Sequence, residues 1–179
     1  MKTRTCTEFV LLGALLQRPK HGYEIMQFLE PALGSTWQVS TSQLYVLVKR
    51  LEREGLLESA VESQDNRPSK RVFSLTPGGR KAFLKWVHSP AKHVRDLRAE
   101  FLARLFFFRH LALKGGTELV DSQIRTLEEI RQGILKKKDK EPDPFKGLAL
   151  GTKTMMIHMW LQWLRQEAKP FVRRIHTDE

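Results

Sequence analysis

Between Leu56 and Leu75 the spacing of apolar residues falls to two, and that switch constrains the fold of this chain more than any other feature. Leu57, Ser59 and Val61 recur at every second position, and so do Arg71, Phe73 and Leu75. The polar stretch between them, Gln64-Asp65-Asn66-Arg67-Pro68-Ser69, is rich in turn formers, so the segment reads as a β-hairpin. Its tip is flanked by Arg67, Lys70 and Arg71. The rest of the chain reads as helix.

Three helices precede the hairpin. Thr5 and Glu8 have capping-box spacing ahead of Phe9 to Leu16, a run too continuous for an exposed helix face. Arg18 to Gly22 stops that helix. A second follows, with Tyr23, Met26, Phe28 and Leu29 as its covered face and with Pro31 and Gly34 loosening its end. Ser35 to Val39 is a short connector holding Trp37. Ser40 and Gln43 form another capping-box spacing, and a third helix is expected from about Thr41 to Glu54, closed by Gly55. At 100° per residue, Leu44, Leu47, Val48 and Leu51 fall inside, and Ser42, Gln43, Tyr45, Val46, Lys49, Arg50 and Arg53 fall outside. Thr76-Pro77 opens a fourth helix after the hairpin.

Helices, hairpin and a closing helix in this order make a winged helix-turn-helix. Such a fold needs a helix narrow enough for the major groove, apolar beneath and rich in donors above. The third helix meets that requirement. Gln43 suits an adenine edge, Lys49 or Arg50 a guanine edge or a phosphate, and Val46 a thymine methyl. Ser40, Thr41 and Ser42 stand at the helix start, where free backbone N–H groups favour phosphate. The basic hairpin tip would lie along the neighbouring backbone. The net charge of +11 fits double-stranded DNA as a partner. It does not locate the site, because residues 1–90 hold 13 Lys and Arg against 8 Asp and Glu, and the remainder holds 18 against 12.

The chain resembles the PadR family of bacterial regulators. The resemblance rests on Leu12-Gly13 with Leu15-Leu16, on His21-Gly22-Tyr23-Glu24-Ile25, and on Leu44-Tyr45 with Leu47 and Lys49-Arg50-Leu51. It continues through Glu54-Gly55-Leu56 and Leu75-Thr76-Pro77-Gly78-Gly79-Arg80. Arg95 to Phe101 is similar to the longer, AphA-like subgroup, which has a full helical C-terminal domain. The resemblance implies a homodimer, with Tyr23 and Tyr45 near the phosphates and C-terminal helices crossing between subunits. Gln43 stands where the family often has glycine, Val46 where it has proline, and Phe73 where it has tyrosine.

Ser89-Pro90 is the one domain boundary the composition suggests, giving a DNA-binding domain over 1–89 and an all-helical dimerisation domain over 90–179. The expected class is therefore mainly α with a small β-hairpin. In the second half, helices are expected over roughly Val94 to Leu113, Glu118 to Lys138, and from Pro144 to near Ala168. Phe101, Leu105, Phe108, Met159, Trp160, Trp163 and Leu164 are the expected dimer contacts, since the domain looks too small to cover them alone. The Met- and Trp-rich last helix has two readings. One is core and dimer packing; the other is a wall for a small aromatic effector, formed by Met156, Trp160 and Trp163 with Trp37.

The same sequence argues against other classes. It has no His-Glu-x-x-His, no phosphate-binding glycine loop and no nucleophile paired with a base, so it is read as a non-enzyme without cofactor or metal. No stretch approaches the roughly 18 apolar residues of a membrane span, and the start lacks a secretory pattern, so a cytoplasmic location is expected. Cys6 is the single cysteine, leaving no disulfide framework. A protein-interaction adaptor on the same fold is the alternative, but it would leave Gln43, Val46 and Lys49 idle.

Overall fold

The structure is a computed structural model that describes residues 4–34, 38–64 and 67–175, with backbone alone at 63, 64 and 67–69. Trp37 and the Arg67 side chain lie outside the described residues. The chain divides into two compact units, Met1–Val87 and His88–Glu179.

The first unit begins with α1 (Cys6–Ala14). Glu8 accepts the Thr5 backbone N–H at 2.7 Å, and Val10, Leu11 and Leu12 are wholly buried behind that cap. Phe9 stacks on Trp86 of the last helix in the unit, with ring centroids 5.0 Å apart. Strand β1 (Lys20–His21) follows, where the sequence suggested only a helix stop. Two residues are too few to show a period; their pairing with Phe73 and Val72 makes them strand. Helix α2 (Gly22–Leu33) buries Ile25, Leu29 and Leu33, spaced by four. Tyr23 therefore points away from the core, off the covered face its spacing suggests but as its expected place near phosphate requires.

Helix α3 (Thr41–Arg53) buries Leu44, Val48 and Leu51. Gly55, at φ 68°, ends it by donating to Glu52 O while Leu56 N donates to Leu51 O, a turn that favours glycine. The chain then enters β2 (Leu57–Gln64) and β3 (Arg67–Leu75), an antiparallel pair in which Leu57 faces Leu75, Ser59 faces Phe73 and Val61 faces Arg71. The sheet order is β1-β3-β2. Helix α4 (Pro77–Val87) is capped by Thr76 Oγ1, which accepts Gly79 N at 3.0 Å and donates to Gly55 O at 2.7 Å. A Cβ on Gly79 would stand 2.1 Å from Leu56 O, so only glycine lets α4 approach the strand this closely.

The second unit is helical. The single helix expected from Val94 is instead a tight turn (Val94–Asp96), a wide π-helical turn (Leu97–Phe101) and α5 (Leu102–His110). Helix α6 (Gly116–Lys138) starts directly after Gly115, whose φ is 92°. Asp143 Oδ1 accepts Lys146 N at 2.9 Å to cap α7 (Pro144–Trp163), and a π-helical turn (Leu164–Ala168) leads into α8 (Lys169–Arg174). Gln123, fully buried in α6, clamps Ala91 by accepting its N–H at 2.6 Å and donating to its carbonyl at 3.1 Å.

Four expected dimer contacts are corrected here. Phe101, Leu105, Phe108 and Leu164 are buried within their own chain. Part of the cover comes from α8, which packs on both α5 and α6 and adds the buried Val172 to that core. The sequence reading ended the last helix near Ala168 and so lacked this cover.

Candidate nucleic-acid interface

The outer surface of α3 and the first turn of α2 meet at a glycine. A Cβ on Gly22 would stand 2.8 Å from Tyr45 Oη, so the Tyr45 phenol lies directly over the start of α2. Tyr23 is the next residue. Tyr23 is 72% exposed, Val46 67% and Tyr45 44%. Single exposed apolar residues are ordinary; here three stand beside hydroxyls and a cation. Ser40, Thr41, Ser42, Gln43 and Lys49 are all exposed as well. Lys49 has no ion pair among the described residues.

The helix start is held by a reciprocal cap. Ser40 Oγ accepts Gln43 N at 3.2 Å, and Gln43 Oε1 accepts Ser40 N at 3.1 Å. Gln43 is thus exposed but not idle. At the start of α2, Glu24 accepts His21 N at 2.8 Å and Arg18 Nη1 at 3.0 Å. The His21 N–H, followed by Arg18, holds the Glu24 carboxyl below its ordinary value. Nearby, Lys20 Nζ donates to Ala14 O at 2.5 Å, and burial followed by the Arg18 charge pushes its ammonium below the usual lysine range.

Two expected contact residues are otherwise engaged. Arg50, placed outside by helix projection, turns under α3 and pairs with Glu8 at 2.5 Å. Glu8 is almost wholly buried, and its charge needs this partner. Arg71 reaches back from the hairpin instead of standing at its tip. It meets both Glu52 oxygens at 2.9 Å and donates from Nε to Ser59 Oγ at 2.8 Å. Lys70 remains exposed, opposite Glu62 in the strand register. Neither engagement is visible to a projection of one helix or strand, because each depends on what lies across from it.

In the second unit, Trp160 and Trp163 pack edge-to-face with centroids 5.5 Å apart, both half-buried, while Met156 and Met159 are exposed. Among the described residues no three His, Cys, Asp or Glu side chains gather to hold a metal ion. No helix among them is long and apolar enough to cross a membrane.

Residues 11–85 match the Transcriptional regulator PadR-like family, a stretch running from α1 into α4. Over that stretch, which is under half of the chain, the sequence resembles the PadR-like family. The relatives it resembles are named as transcriptional regulators. Among PadR-like relatives, the negative transcriptional regulator PadR of Bacillus subtilis is 25% identical over 120 residues, which are 66% of this chain and 65% of that protein. A probable transcriptional regulator of Mycobacterium tuberculosis is 24% identical over 153 residues, covering 78% of this chain and 80% of its own. The crystal structure of Bacillus subtilis PadR in complex with operator DNA is similar at a TM-score of 0.49 and 20% identity, covering 93% of this chain and 99% of that one.

Proposed function

We propose that this PadR-like protein is a sequence-specific repressor that binds a palindromic operator as a homodimer, with one α3 in the major groove of each half-site. The observation behind the reading is the outward face of α3, where Tyr45, Val46 and Lys49 are exposed above a buried apolar underside. Such a face has little reason to be apolar in water, and every reason if it meets base edges and sugars. Ser40, Thr41 and Ser42 would contact phosphate, as would Tyr23 beside them, and Lys70 would lie along the flanking backbone. Repression is the direction stated in the name of the Bacillus relative.

Dimerisation is assigned to α7 and not to the buried phenylalanines. Leu148, Met155 and Met159 are 68%, 75% and 56% exposed and are spaced by seven and four, so they form one stripe along the helix. A second copy with the same stripe would cover it by two-fold symmetry. A small aromatic effector would act by binding the two dimer geometries unequally, with Met156, Trp160 and Trp163 as its wall.

Fluorescence anisotropy with an operator duplex and size-exclusion chromatography with light scattering test the reading together. Val46→Asp leaves the fold intact, because the side chain is exposed, and lowers operator affinity by at least about tenfold. Met155→Asp with Met159→Asp shifts the dimer to monomer. Unchanged affinity in the first variant would remove α3 from the groove.

A further inference from the structure

The geometry points to a binding site for a nucleoside polyphosphate in the groove between the end of α6 and the start of α7. The site lies wholly within the second unit and does not depend on the placement of α3. The two helices pack against each other across the short connector 139–143, leaving an open groove of about 740 Å³. That falls within the roughly 300–1,000 Å³ typical of small-molecule sites.

The groove is strongly cationic. Lys136, Lys137 and Lys140 line it from α6 and the connector, and Lys146 and Lys153 line it from α7. All five are exposed, and none has an ion pair among the described residues. Glu141 is the one carboxylate lining the groove among the described residues, and it accepts Asp143 N at 3.2 Å. Five ammonium groups around one groove repel each other and raise a positive potential that a bound anion relieves. A ligand with a single negative charge would balance little of it, so several are favoured.

The lining also has an apolar part. Phe145, at the start of α7, is 76% exposed, and Ala149 and Leu150 continue from it along the groove. Inorganic phosphate would use the lysines and leave that strip in water. A base stacked on the Phe145 ring would cover it, with the phosphates among the ammonium groups. Size points the same way. From Phe145 to Lys153 the helix rises by about 12 Å, which suits a base, a sugar and a short phosphate chain. A DNA duplex would run past both ends and present phosphate and sugar to the apolar strip. Gly133 lines the groove as well, and an added Cβ there would meet nothing within 4 Å, so the space beside it is open.

Isothermal titration calorimetry on the full-length protein tests the site, with adenosine triphosphate, tripolyphosphate and adenosine as probes and no divalent cation. Adenosine triphosphate should bind, and tripolyphosphate and adenosine should each bind at least about tenfold more weakly. Phe145→Ala should weaken the triphosphate at least about fivefold, and Lys137→Gln with Lys153→Gln about tenfold. Gly133→Leu removes no charge and replaces a poor helix former with a good one. It should melt no lower than wild type and lose triphosphate binding, because its side chain fills the groove.

Tripolyphosphate binding as tightly as the triphosphate would reduce the groove to a patch for any anion and overturn the inference. Triphosphate binding unchanged in all three variants would place the nucleotide elsewhere on the chain. Absence of triphosphate binding at millimolar concentration would also overturn it. So would loss of random-sequence duplex binding in the double lysine variant with the triphosphate unaffected, which would make the groove a DNA surface.

Discussion

The Arg50 guanidinium stands 2.5 Å from the Glu8 carboxylate, so the residue that caps α1 also anchors α3 from beneath. Glu8 is buried and Arg50 is about one third exposed, which makes the pair asymmetric. Removing the carboxylate strands a cation and uncaps a helix; removing the cation strands a buried anion. Glu8→Ala should therefore lower unfolding free energy by roughly 2–3 kcal/mol, less than a fully buried pair because water reaches Arg50. Lys49→Ala, one position earlier, should change stability by under about 0.5 kcal/mol yet flatten the salt dependence of DNA binding by about one unit of slope. Urea titration and salt-dependent anisotropy on both variants check the division. Equal stability losses would mean that Arg50 and Lys49 have been assigned wrongly.

Gly79 marks where α4 crosses Leu56. With its would-be Cβ 2.1 Å from a backbone oxygen, no side-chain rearrangement can make room. Gly79→Ala should cost at least the upper part of the roughly 1–3 kcal/mol typical of overpacking, seen as a lower denaturation midpoint. Gly133→Ala is the control, since nothing lies within 4 Å of the added carbon.

Ala112 adopts φ 47°, a left-handed conformation that L residues avoid. It sits where α5 ends, with Leu113 N donating to Phe108 O and its own N–H to Arg109 O, the same closing turn that Gly55 makes after α3. Ala112→Gly should stabilise the second unit by about 1 kcal/mol, because it relieves the conformational strain and keeps both bonds. Calorimetry would register the gain; a loss would show that glycine's freedom in the unfolded chain outweighs the strain.

Glu24 gives a signed pH dependence. Its folded carboxyl is held below the ordinary value of 4.5 by the His21 N–H and then by Arg18. Stability from this group is present above pH 4.5 and is lost as pH falls through the folded value. Glu24→Gln should flatten the acid limb of stability against pH and leave the neutral region nearly parallel to wild type. An unchanged acid limb in urea titrations would contradict the assignment.

Much of the first unit was legible because its signals are local. Thr5 with Glu8, Ser40 with Gln43, Gly55 and Thr76 each announce a helix end within four residues, and the hairpin announces itself by its period. The strand at Lys20–His21 was not legible, since its partner lies some fifty residues away. Arg50 and Arg71 were misplaced for the same reason: projection gives direction from a helix or strand and says nothing of a carboxylate waiting opposite. In the second unit, Phe108 reads as too apolar to be covered from within, because α8, whose Val172 joins its core, follows a π-helical turn with no sequence period to betray it.

The triangle of Arg71, Glu52 and Ser59 has a consequence for how the proposed operator preference could change. The hairpin and α3 are fastened together, so neither can be re-aimed without the other. Variants that shift operator preference by moving the wing should arise as matched changes at positions 52 and 71, whereas single changes at either should look like general loss of function. A mutational screen scored only on operator binding would count Arg71 among the DNA contacts, and a second-site suppressor at Glu52 would reveal it as a joint.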